Sequence, residues 1–177
     1  MISKKNNNQV DMIDNKTALK HGEIFIEYLT KTFPGCNPLA PGFMKEWKLS
    51  ILLGHEVETE KHKCDAWDSE GNQIEYLSCL ENNIEKKRKR DFAIDCMFSS
   101  PPDFKKKSLK RISRNKEIYY AIFKEGSLDV LECWLGCPKD LEKKIDVNLT
   151  KRDKPNKNEH TVSISKKSVR ENCKRVI

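Results

Sequence analysis

The hydrophobic residues change their period at Gly54, and that change limits what a chain of 177 residues can become. Before it, Leu19, Ile24, Phe25, Tyr28, Leu29 and Phe33 recur at helical spacing up to Pro34-Gly35, with Thr17 as the expected N-cap. Residues 43–53 read as a second helix stopped by Gly54. After it, residues 55–66 alternate loosely and residues 73–80 alternate well, so both read as strands. The segment Asp68-Ser69-Glu70-Gly71-Asn72 between them reads as a turn, with Gly71 supplying the positive φ.

The same reading continues downstream. Residues 92–98 predict a strand, and Pro101-Pro102 opens a helix over 101–115. Residues 118–124 and 128–135 predict two apolar strands split by Glu125-Gly126. A helix begins at Pro138, a short strand follows at 160–164, and Ser165 caps a last helix over 166–174. Helices alternating with strands in this order imply an α/β fold, a mixed central β-sheet flanked by helices. Residues 1–15, rich in Lys and Asn, form an expected flexible N-terminal tail, and residues 16–177 one domain.

Charge is unevenly placed. Residues 1–100 hold 14 Lys/Arg against 16 Asp/Glu, whereas residues 101–177 hold 20 against 11. The positive field is densest over 86–116, which suits phosphates. Lys86, Lys87, Arg88, Lys89, Arg90, Lys106, Lys110 and Arg114 are the candidate DNA-binding residues, a solvated lysine-rich surface being the other reading of the same charge. Lys105, Lys107 and Arg111 are expected to face outward beside them. No apolar run approaches the roughly 18 residues that span a bilayer, so no membrane association is expected. The N-terminal stretch lacks the apolar core of a secretory signal. Seven cysteines without such a signal point to reduced thiols and a cytoplasmic location. Only Cys133 and Cys137 are close in sequence, and no second pair completes a zinc site, so small buried residues are the better reading. Trp47, Trp67 and Trp134 have the ring for base stacking, with core packing as the default.

The chemistry-bearing constellation is Asp65, Glu75 and position 77. A hairpin sets Asp65 across from Glu75, and two carboxylates with the carbonyl of Tyr76 make a hard-oxygen site of the kind Mg²⁺ takes. A lysine two residues beyond Glu75 would share its strand face and could orient an attacking water, but Leu77 stands there. Glu75, Leu77, Cys79 and Glu81 fall on one face of the strand, so Leu77 is expected among acids.

Asp65, the turn at Gly71 and the run Ile74-Glu75-Tyr76-Leu77-Ser78 resemble the PD-(D/E)XK nuclease motif, the core of many type II restriction endonucleases. Asp65 matches the motif's aspartate and Glu75 its second acid; Leu77 departs from its lysine, and Cys64 stands in place of the proline. The helix over 101–115 and the strands after it are similar to the rest of that family's sheet, and the first helix, with Glu23 and Glu27, resembles its N-terminal helix, which sometimes gives an accessory acid. The resemblance implies a homodimer on specific double-stranded DNA. It also implies Mg²⁺-dependent phosphodiester hydrolysis leaving a 5′-phosphate, with Asp65 and Glu75 as metal ligands and catalytic acids. With Leu77 in the lysine's place, little or no cleavage is expected. The alternative is a non-catalytic DNA-binding regulator or architectural module.

Overall fold

A computed structural model describes residues 14–34, 37, 39–40, 42–60, 64–82, 91–95, 104–150 and 161–177. Helix α1 spans Asn15–Thr32. Its cap is Asp14 rather than Thr17: the Asp14 carboxylate accepts the N–H groups of Lys16 and Thr17 at 3.0 and 3.1 Å, and the Thr17 hydroxyl donates to it at 2.6 Å. A carboxylate is the stronger acceptor for these unpaired amides, and its charge also complements the helix dipole. Helix α2 spans Phe43–Leu53 and ends on Gly54 in the left-handed conformation, as its sequence dictates.

The expected strand over 55–66 is two short ones, β1 (Glu56–Val57) and β2 (Ala66–Trp67), paired antiparallel to each other. Glu58 explains the break. One of its carboxylate oxygens accepts the N–H of both Thr59 and Glu60 at 2.8 Å, which turns the chain away from the sheet. Strand β3 (Gln73–Leu80) follows the expected turn, where Gly71 has φ +77° and the Asp68 carboxylate accepts the Glu70 and Asn72 N–H groups.

Residues 81–116 then carry β4 (Phe92–Asp95) and α3 (Phe104–Ser113) before β5 (Glu117–Phe123) lies parallel to β3. Strand β6 (Val130–Gly136) returns antiparallel to β5, and α4 (Pro138–Thr150), β7 (Thr161–Ile164) and α5 (Lys166–Asn172) complete the helical side. Ser165 caps α5 by accepting the Ser168 N–H. The last helix stops at Asn172 because Cys173 is already extended, and Lys174–Arg175 form β8 on the edge of β6. The central sheet runs β1-β2-β3-β5-β6-β8, and β4 and β7 pair separately. The protein is therefore α/β, with a mixed central sheet flanked by helices. No described helix is long and apolar enough to cross a membrane.

Both faces of the sheet are covered. On one, Leu49 of α2 packs on Ala66, Ile74, Tyr76, Tyr119, Ala121, Phe123 and Cys133. On the other, α3, α4, α5 and the β4–β7 pair cover Leu77, Cys79, Ile118, Tyr120 and Ile122. Cys64, Cys79 and Cys133 are buried free thiols, as small core residues should be, whereas Cys137 is exposed.

Leu77 belongs to this second core, with Phe92, Ile112, Ile145 and Val162 in the same cluster. The face shared by Glu75, Leu77 and Cys79 is apolar once α3 lies over it, so leucine has a packing reason to be there. Leu77→Ala should lower the unfolding free energy in urea by about 3 kcal/mol, the usual cost of a buried leucine truncation. Leu77→Met should cost less than about 1.5 kcal/mol. Equal, small effects of the two would show that position 77 is not packed as described.

Candidate acidic site at the end of the β2–β3 hairpin

The register of the hairpin sets the site. Ala66 pairs with Ile74, and the Asp65 N–H donates to the Ile74 carbonyl at 3.1 Å, so Asp65 comes opposite Glu75. There β2 leaves the sheet. The Asp65 carboxylate takes over from the main chain and accepts the Tyr76 N–H at 2.7 Å. Both main-chain groups of one strand residue point to the same side, so the Tyr76 carbonyl faces this same edge. The register thus sets Asp65 and Glu75 opposite each other, with Asp65 bonded to the Tyr76 main chain.

Glu75 is 1% exposed. Its Oε1 accepts a bond from Arg111 Nη2 at 2.6 Å, and its Oε2 is buried without a hydrogen-bond partner among the described residues. Arg111 was expected to face outward on α3. Instead it turns inward, because the helix crosses β3 with Ile112 in the core and the preceding residue over Glu75. A buried carboxylate without such a partner would be costly, and a guanidinium supplies a directed, charged donor.

A third acid lies within electrostatic reach of the pair. Glu46, half-buried on α2, is pushed up to about 7, first by burial and then by the charge of Asp65, with Arg111 opposing. Glu75 is pushed up to about 8 by burial, then by Asp65 and Glu46, against the pull of Arg111 and Arg114. Asp65 is also raised; burial outweighs the Tyr76 N–H and the two arginines. Three carboxyls thus share the field of two guanidinium groups.

Glu46 escaped the sequence reading, yet its signal was present. Phe43, Glu46, Ser50 and Leu53 recur at helical spacing, so one acid sits in the inward stripe of α2. The expected accessory acids Glu23 and Glu27 are exposed on α1, and Glu27 accepts a bond from Lys31 at 2.7 Å. Among the DNA-binding candidates, Lys110 and Arg114 are exposed at the end of α3. Lys86, Lys87, Arg88, Lys89 and Arg90 lie outside the described residues, as does the side chain of Lys106. Among the described residues, no three His, Cys, Asp or Glu side chains are grouped closely enough to hold a metal ion by themselves. A cation at this edge would need main-chain or water oxygens as well.

No protein-family model matches the chain, and neither does any curated protein.

The raised carboxyls have a pH signature. In the unfolded chain Glu75 has its ordinary value of 4.5, and in the fold about 8, so between these values the folded state keeps a proton that the unfolded state has lost. Rising pH therefore favours unfolding across that window. In metal-free buffer the unfolding free energy should fall from about pH 5 to pH 8, by up to about 1.4 kcal/mol per pH unit for each retained proton. Glu75→Gln should flatten the profile. A wild-type slope retained in Glu75→Gln would assign the titration to another group.

Proposed function

We propose that this chain is a Mg²⁺-dependent endodeoxyribonuclease of PD-(D/E)XK type that acts on duplex DNA as a homodimer, with Arg111 supplying the charge that strand position 77 lacks. One observation carries the reading: the hairpin register sets Asp65 against Glu75, whose Oε2 is buried without a hydrogen-bond partner among the described residues. An orphaned carboxylate oxygen next to a second carboxylate is a donor set that fits a hard divalent cation. The excess of acids over arginines favours the same occupant.

Asp65 and Glu75 hold the ion in this reading, with the Tyr76 carbonyl as a third oxygen, and Glu46 deepens the negative potential that draws it in. When bound, Mg²⁺ polarises the scissile phosphate and lowers the pKa of a bound water. Arg111 reaches the same carboxylate from the neighbouring helix. Its guanidinium is suited to pair with phosphate oxygens and to steady the charge that develops on them. Lys110 and Arg114, exposed on and just beyond that helix, would make sequence-independent contacts to the DNA backbone in this reading. Two active sites, one per protomer, match the two strands to be cut. Leu77→Lys is not a repair under this reading, because it removes a core leucine and buries a charge.

The test joins binding and cleavage. At a Mg²⁺ concentration 100 times its Kd, the wild type should gain about 2.7 kcal/mol of stability, and Asp65→Ala should gain none. Plasmid incubated with Mg²⁺ should be cut by the wild type, not by Asp65→Ala, and roughly 100-fold more slowly by Arg111→Ala. Intact plasmid despite tight, salt-sensitive binding would select the non-catalytic DNA-binding module. Binding that ignores salt would remove the nucleic-acid reading altogether.

A further inference from the structure

Beside the acidic edge, α2 and the β1–β2 strands border a separate cavity of about 590 Å³. Two of the three tryptophans, Trp47 and Trp67, line it together with Phe33. Trp67 is tethered: its indole N–H donates to Glu58 Oε2 at 2.9 Å, and the other Glu58 oxygen is held by the N–H groups of Thr59 and Glu60. Trp47 is braced edge-on by Phe33, with ring centroids 5.4 Å apart. The two indoles are therefore held in place before any ligand arrives, and such preorganisation lowers the entropy cost of binding.

The rest of the lining mixes apolar Pro34, Ile51 and Val57 with polar groups. Ser50, His55, Glu58 and Thr59 contribute hydroxyl, imidazole and carboxylate groups. His55 Nδ1 is joined to the Tyr76 hydroxyl at 2.7 Å, so the ring nitrogen left to meet a ligand is Nε2. Burial holds this imidazole below its usual pKa, so it is neutral at neutral pH. Among the described residues, no Lys or Arg lines the cavity, whereas Glu56 and Glu58 do, a lining that disfavours a phosphate or carboxylate ligand. Polar groups among the aromatic walls likewise disfavour an alkyl chain. What fits is a flat, uncharged aromatic ring with hydrogen-bonding edges.

We propose that this cavity binds an unpaired nucleobase, stacked against the indoles of Trp47 and Trp67. The placement agrees: Trp67 lies two residues from Asp65 on the same strand edge, and Trp47 follows Glu46 on α2. The proposal rests on the cavity alone and stands whether or not the acidic site cuts DNA.

The test uses the full chain without divalent ions, with adenosine, a short single-stranded oligonucleotide and its abasic counterpart as probes. The two base-bearing probes should shift the indole N–H resonances of Trp47 and Trp67 saturably and leave that of Trp134 in place. Trp67→Ala should weaken oligonucleotide binding roughly 5- to 150-fold, the range for loss of one stacking partner. Trp67→Phe, which keeps a ring, should retain most of the affinity and serves if the alanine variant does not fold. Shifts with the oligonucleotide but not with adenosine would identify the base within a strand as the ligand source. Equal binding of the abasic strand, unchanged affinity in both Trp67 variants, or shifts confined to Trp134 would overturn the proposal.

Discussion

A parallel pair of strands cannot be closed by a turn. Because β3 lies parallel to β5, the chain must leave the end of β3, cross a face of the sheet and re-enter beside its start. The crossing falls between β3 and β5, and α3 is a helix described within it. The consequence reaches the candidate site directly. The crossing helix covers the face that carries Glu75, Leu77 and Cys79, making Leu77 a core residue and bringing Arg111 onto Glu75. Were β5 antiparallel and joined by a short loop, that face would lack both its cover and its counter-charge.

The acidic edge is held by unequal interactions. The Arg111–Glu75 bond joins a nearly buried carboxylate to a guanidinium that is 28% exposed on its side chain, so one partner is desolvated far more than the other. Such a pair does not by itself argue for stability, since the desolvation of the acid offsets much of the attraction. The pair gives Oε1 of Glu75 a charged donor and leaves Oε2 without a partner among the described residues. The surface ion pairs are different in kind: Lys31–Glu27 and Lys167–Glu171 are exposed partners on single helices, worth a few tenths of a kcal/mol each.

Much of this was legible in the residue pattern because local rules decide it. Strand β3, the turn at Gly71, the end of α2 at Gly54 and the cap at Ser165 follow from alternation, backbone freedom and side-chain acceptors. The opposition of Asp65 and Glu75 follows from the same turn. What was not legible depends on partners distant in sequence. Whether the Glu75–Leu77–Cys79 face is wet or dry is set by a helix some 30 residues later, so alternation alone could assign the faces but not their surroundings. The same helix decides that Arg111 turns inward while Lys110 and Arg114 do not. Glu46 was hidden by its neighbours, since an acid at a helix start reads first as a dipole partner. The two-residue strand β8 carries no periodic signal, and it exists because the edge of β6 is available to pair.

Tyr76 stands at a crossing of its own. Its main-chain N–H is held by Asp65 at the acidic edge, and its phenol is joined to His55, which lines the aromatic cavity. The two features are thus separated by the length of one side chain, and that side chain is buried and packed against Tyr119. A tilt of the β3 backbone at this residue changes the hydrogen bond at both ends together. One buried residue thus joins the acid pair to a wall of the indole cavity.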